Sequence, residues 1–292
     1  GGEGLGVMEG GSRISYRPAN TSRSSVVTVV FCHWRNVMKS VGIIAATVVA
    51  VSLTSPHARA QDAPTEFLSV LTVMAKPGMI GQFESFVAEI NDAARQIGDT
   101  RAVQAYQVRF GGPVNRYLFV TGFNEWGEVD DWPSVPTILI SAHGEEAGAT
   151  ILQTGTAAVE SFESTVSRTQ HEFTNLPDGM PSTPARFARI TRTEIAPGTA
   201  PAYLALISKR AEAQKHLGLP IIRRTLVEGA AGVYTAVEFY NTLAERDQAP
   251  NLAATLNELF GEAEMAQLIE DGSRGVRYRE FVVIEHRPDL SR

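Results

Sequence analysis

Tyr117–Asp130, YLFVTGFNEWGEVD, is answered 117 positions later by Tyr234–Asp247, YTAVEFYNTLAERD. Extended both ways without a gap, the match carries Arg109–Thr169 onto Leu226–His286 with 15 identities in 61 positions. Roughly four would arise by chance, so the segment reads as an internal repeat, and the architecture follows from it. The shared residues include Gly112/Gly229, Val120/Val237, Asn124/Asn241, Glu128/Glu245, Asp130/Asp247, Pro133/Pro250, Gly144/Gly261, Gly155/Gly272 and Glu163/Glu280. Further back, Phe67–Ile97 maps onto Phe187–Leu217 at a shift of 120. The difference between the two shifts falls between Ile97 and Arg109, in a loop where no packed face is displaced.

Working outward, Phe67–Met74 predicts a strand ended by Lys76-Pro77-Gly78, and Met79–Ile97 a helix with Phe83, Phe86, Val87, Ile90 and Ile97 on one stripe. Val103–Phe110 and Arg116–Phe123 flank Gly111-Gly112-Pro113 and predict a hairpin. Asn124–Ser134 is a polar and aromatic connection, Pro136–Ala158 a helix broken near Gly144, and Val159–Thr169 a closing strand. The second unit repeats the order: strand Phe187–Ile195, helix Ala200–Leu217, hairpin strands Ile221–Glu228 and Val233–Tyr240, an interrupted helix Leu252–Ile269, and strand Val276–Glu285. Each unit is β-α-β-β-α-β, the split, ferredoxin-like order. The expected fold is α+β: two tandem units whose antiparallel sheets, each with its helices on one face, pack face to face as an intramolecular barrel.

The Pro-Gly turns Lys76-Pro77-Gly78 and Ala196-Pro197-Gly198, with the strand-to-helix steps Tyr117–Trp126 and Tyr234–Leu243, resemble the dimeric α+β barrel superfamily. Antibiotic-biosynthesis-monooxygenase-like and NIPSNAP-like members are similar at these points, and the resemblance spans nearly all of Phe67–His286. It implies a small-molecule cavity, in a superfamily that holds cofactor-less oxygenases, haem-binding and haem-degrading proteins, isomerases and proteins with no known activity. Haem-degrading relatives have a helix His and a Trp near the third strand, which His143 and Trp126 resemble. The first-strand Asn of those relatives has no counterpart in Phe67–Met74, and Phe260 stands at the second copy's position for His143.

Ahead of the repeat, residues 1–37 are rich in Gly, Ser and Arg, without periodicity, and read as upstream, non-native sequence. Residues 38–60 have a secretory signal peptide's pattern: Met38-Lys39, the apolar run Val41–Leu53, and cleavage expected after Ala60. The expected address is periplasmic or secreted, with a retained anchor as the alternative. The expected divisions are then 61–174 for the first unit, 175–184 (NLPDGMPSTP) for a linker and 185–292 for the second unit. Of the 26 Lys/Arg and 32 Asp/Glu, six and two lie in the first 60 residues, leaving Gln61–Arg292 with 20 and 30 and a net charge of −10. So acidic a surface argues against nucleic acid, and against an anionic membrane once the signal is removed. Cys32, the single cysteine, precedes the expected mature start, which excludes disulfides, thiolate metal sites and a cysteine nucleophile there.

Candidate chemistry is expected in the barrel lumen. If the apolar set Val237, Phe239, Phe281 and Val283 packs under the helices, then Tyr234, Glu238, Tyr240, Tyr278 and Glu280 face the lumen. Tyr117, Thr121, Phe123, Ser161 and Glu163 would do so in the first half. The ligand-binding set is Trp126, Trp132, Tyr106, Tyr117, Tyr234, Glu238 and Arg223, and the catalytic candidates are His143, Glu163 and Glu280. A buried Glu would serve as base, and an aromatic wall suits a flat apolar compound. His143, His171, His216 and His286 form no metal-ligand pattern, so neither a metal nor a cofactor is expected unless His143 holds haem. The leading expectation is an exported small-molecule-binding protein, in its enzymatic form a cofactor-independent monooxygenase-like enzyme. The alternatives are a non-catalytic assembly module with a filled lumen, and a haem-binding protein. The chain is expected to be its own pseudo-dimer, with room for further oligomerisation.

Overall fold

The computed structural model describes residues 65–176, 184–228 and 232–292. The expected signal segment lies outside these residues, as does most of the expected linker. The first half runs β1 (Phe67–Ala75), α1 (Ile80–Gln96), β2 (Gln104–Phe110), β3 (Arg116–Phe123), α2 (Gly127–Asp130), α3 (Val135–His143), α4 (Glu145–Thr156) and β4 (Val159–Thr169). The second runs β5 (Phe187–Ile195), α5 (Ala200–His216), β6 (Ile221–Glu228), β7 (Val233–Tyr240), α6 (Ala244–Asp247), α7 (Leu252–Phe260), α8 (Glu262–Arg274) and β8 (Val276–His286).

The eight strands close into one antiparallel barrel in the order β1-β3-β2-β8-β5-β7-β6-β4. Within it each half contributes a four-stranded sheet of like order, β4-β1-β3-β2 and β8-β5-β7-β6. The two sheets face one another across the lumen and join along both borders, β2 to β8 and β4 to β6. Closure leaves no unpaired sheet edge among the described residues.

A strand with both faces covered reads as nearly continuous apolar sequence. In β1, FLSVLTVMA, Val73 and Ala75 belong to the core beneath α1 while Leu68, Val70, Thr72 and Met74 line the lumen. Phe83, Val87, Ala105, Tyr117, Ala158 and Leu290 complete that first core. The helices α3 and α4 pack on α1 through Ile138, Leu139, Ala93 and Ala94, and α7 and α8 pack on α5 through Leu256, Met265, Leu206 and Ala213. No helix among the described residues is long and apolar enough to cross a membrane.

Several repeated residues are accounted for by these elements. Gly144 and Gly261 break the second helical region at φ of 84° and 86°, a left-handed backbone that a residue with a Cβ resists. Ser134 and Asn251 cap the helices that follow them, accepting from Thr137 N and Ala254 N at 3.3 and 3.2 Å. The carboxylates of Glu128 and Glu245 each accept the backbone N–H of Asn124 and Asn241 at 2.9 Å, so the shared Asn/Glu pairs build a turn. Gly155 and Gly272 sit where α4 and α8 cross Phe86 and Leu206, in space that a Cβ would claim.

Candidate functional site

Strand register sets the lumen's levels. One row across the first half consists of Tyr106, Leu118, Thr72 and Glu163, each opposite the next on β2, β3, β1 and β4. The matching row of the second half is Arg224, Thr235, Arg192 and Glu280 on β6, β7, β5 and β8. All eight side chains line one cavity of about 710 Å³. Arg116, paired with Met74 one step beyond the first row, reaches across to Glu280 at 3.2 Å. On the other side of the belt the walls turn apolar, with Val70, Val120, Ile190, Val237, Val282 and Phe239. The lumen is therefore amphipathic: a charged belt over an apolar floor. Among the described residues its own side chains leave it open, which speaks against the filled-lumen alternative.

The belt holds three guanidinium groups, from Arg116, Arg192 and Arg224, against two carboxylates, Glu163 and Glu280. Arg224 is 4% exposed, and its Nη1 is buried without a hydrogen-bond partner. Burial, the larger influence, pushes its pKa down to about 10 against the opposing pull of Glu66. A buried donor left unbonded is costly, so this group favours an anionic or carbonyl-bearing occupant. Tyr106 is also buried; its hydroxyl donates to Gln104 Oε1 at 2.9 Å, and burial raises its pKa to about 12. Its ring lies 5.3 Å from that of His286, whose own pKa burial lowers. At neutral pH this end of the belt offers a neutral phenol.

Of the sequence-expected residues, Tyr106, Glu163 and Glu280 reach the lumen, together with Ser161. The others do not converge there. Tyr117 points under α1, its ring 4.9 Å from Phe83 and its hydroxyl donating to Glu84 at 2.7 Å. Tyr234 lies under α5, 5.1 Å from the Tyr203 ring; Glu238 binds Arg189 at 3.2 Å, and Arg223 binds Gln214 at 2.6 Å. Trp126 and Trp132 join Phe67 and Phe123 in an outer aromatic cluster, with the Arg101 guanidinium 5.4 Å from the Trp132 ring. His143, at the end of α3, lies 3.1 Å from Glu89 on α1, outside the lumen, so it would supply no ligand to haem held there.

The assignment of faces on β3 and β7 is thus reversed: Leu118, Val120, Val237 and Phe239 look inward, whereas Tyr117, Tyr234 and Glu238 look out towards the helices. The physical reason is that the barrel interior is itself a hydrophobic layer, and the helix-facing surface of the second half carries the polar groups. The residues missed in the sequence are Arg116, Arg192 and Arg224. Their signal is an Arg alternating with aliphatics in a strand, as in Ile190-Thr191-Arg192.

No protein-family model matches the chain, and no curated protein matches it in sequence. Among solved structures, a monooxygenase-like protein from Lactobacillus acidophilus NCFM is similar over 78% of this chain and 95% of its own, at 9% identity and TM-score 0.45. An anthrone oxidase-like protein covers 78% and is covered over 94%, at 13% identity and TM-score 0.45. Chlorite dismutase from Candidatus Nitrospira defluvii, in complex with imidazole, covers 78% and is covered over 93%, at 12% identity and TM-score 0.46. Likeness at this level leaves the activity to be read from the lumen.

Proposed function

We propose that the protein binds one small organic molecule inside the barrel, a flat and largely apolar compound bearing a single acidic group. The observation that carries this reading is the cavity of about 710 Å³ with an apolar floor and more guanidinium than carboxylate in its belt. The apolar body would lie among Val70, Val120, Ile190, Val237 and Phe239, and the acidic group against Arg224 and Arg192, with the Tyr106 phenol on the first half's wall of the same cavity. Transfer of apolar area from water drives entry, at about 25 cal/mol per Å², and the guanidinium groups fix orientation. Glu163 is the group available in the belt as a base, which makes oxidation of a substrate that itself donates an electron to dioxygen the reaction class to test. The like strand orders of the halves support descent from one copied module, and the pattern of residues 38–60 supports export.

The test is native electrospray of protein purified from its host. A co-purifying compound is expected that disappears in Val237→Trp, whose indole would occupy the floor. Retention of the compound in that variant, with the fold intact, would sink the reading. Oxygen uptake on adding the same compound then separates an oxygenase from a carrier.

A further inference from the structure

The outer sheet surface under α5 differs from the one under α1. Beneath α1 the space is filled by Leu71, Val73, Ala105 and Phe119 around Phe83. In the second half Arg223 stands opposite Ala236, as Ala105 stands opposite Phe119. At the 120-residue shift, Thr191 replaces Leu71, while Arg210 and Gln214 replace Ile90 and Ala94. A phenyl ring has been lost and polar groups have been gained. What results is a separate cavity of about 190 Å³ between α5 and the outer face of the sheet.

Four guanidinium groups line it, from Arg189, Arg210, Arg223 and Arg279, against one carboxylate, Glu238. That carboxylate is already engaged by Arg189 at 3.2 Å and by the Tyr240 hydroxyl at 3.1 Å. Arg223 is 6% exposed; its Nη2 donates to Gln214 Oε1, and its Nε is buried with no partner. Burial first, then Arg210, pushes the Arg223 pKa down to about 10, and burial lowers that of Arg210 as well. Like charges gathered around the buried Arg223 guanidinium are unfavourable without a counter-charge, and the missing counter-charge is an anion.

We propose that this cavity is a binding site for a small organic molecule carrying a doubly charged oxyanion, a phosphomonoester or a short dicarboxylate. Arg223 and Arg210 hold the oxyanion, and Tyr203 and Tyr234 pack against the carbon part. The sheet separates this site from the lumen, so the inference does not rest on the ligand proposed there.

Thermal unfolding of the full chain in millimolar glycerol phosphate or succinate, each against sodium chloride of equal ionic strength, tests it. One or both anions raise the midpoint by about 3 °C or more, saturably. A response to glycerol phosphate alone assigns the phosphomonoester, and a response to succinate alone the dicarboxylate. Arg210→Gln weakens the response at least tenfold in ligand concentration. Ala236→Phe, which restores the ring of the first half, abolishes it while the far-ultraviolet dichroism is unchanged. The inference is overturned if neither anion acts beyond chloride, or if the response persists undiminished in Arg210→Gln. That variant decides the matter alone should Ala236→Phe not fold.

Discussion

Arg116 on β3 and Glu280 on β8 meet at 3.2 Å, an ion pair that ties the first half to the second across the lumen. Both side chains are about a quarter exposed, at 27% and 25%, so the pair is partly screened. Glu280→Gln is expected to cost about 1 kcal/mol, read as a lower urea midpoint at unchanged slope. The same change leaves the belt more cationic, so an acidic lumen ligand should bind more tightly. Weaker binding of such a ligand in this variant would contradict the proposed orientation.

Arg224 sets ligand binding against stability. Its buried, unpartnered Nη1 is a cost to the empty protein, and an apolar side chain of similar length removes it. Arg224→Met is expected to unfold at an equal or higher temperature than the parent and to lose the acidic ligand. Calorimetric unfolding and native electrospray of the same sample check both halves of the statement.

The crossing of α1 and α4 makes a complementary pair of substitutions. A Cβ on Gly155 would fall within the Phe86 ring, whereas the second half opposes Gly272 with the smaller Leu206. Gly155→Ala should destabilise by about 1–3 kcal/mol through overpacking. Combining it with Phe86→Leu should recover part of that loss. Additive costs in the double-mutant cycle would show that the two sites are not coupled.

Acid should loosen the junction between the end of β8 and α1. Arg287 donates to Glu84 at 2.6 Å and to Asp289 at 2.7 Å, and these hydrogen bonds are the first cause holding both carboxyls below their ordinary values. A depressed folded pKa stabilises above the unfolded value and is lost as pH falls through the folded one. The stability these two groups supply is therefore complete at neutral pH and fades below about pH 4.5, the ordinary value for Glu84. Arg287→Met should lower the urea midpoint at pH 7 and flatten its decline between pH 5 and pH 3 relative to the parent.

Much of the backbone is legible in the sequence. Val159–Thr169, Ile221–Glu228 and Val233–Tyr240 are bounded as the alternation and turn residues predict, and Gly144 and Gly261 mark the helix breaks. The site is only partly legible. Alternation in Val233–Tyr240 shows that two faces differ, but not which face meets the helices. In a closed barrel both sides are dry, so polarity does not label the interior. Trp126 and Trp132 attract attention by their rarity, yet they cover the outside of the barrel beside Phe67 and Phe123. Arg223 and Glu238 line the cavity under α5 rather than the lumen, where Glu280 lies. Phe119 fills the space under α1, whereas Ala236 at the matching position of the second half leaves the space under α5 open.

The borders β2–β8 and β4–β6 bear on how the chain must be made. A newly synthesised first half has two naked strand margins and a partly apolar inner wall, and nothing to lay against them until the second half emerges from the ribosome. During that interval its nearest complementary surface is another copy of itself on a neighbouring ribosome. Crowded synthesis should accordingly yield exchanged, intertwined pairs of chains, and a lengthened connection between the halves should yield more of them.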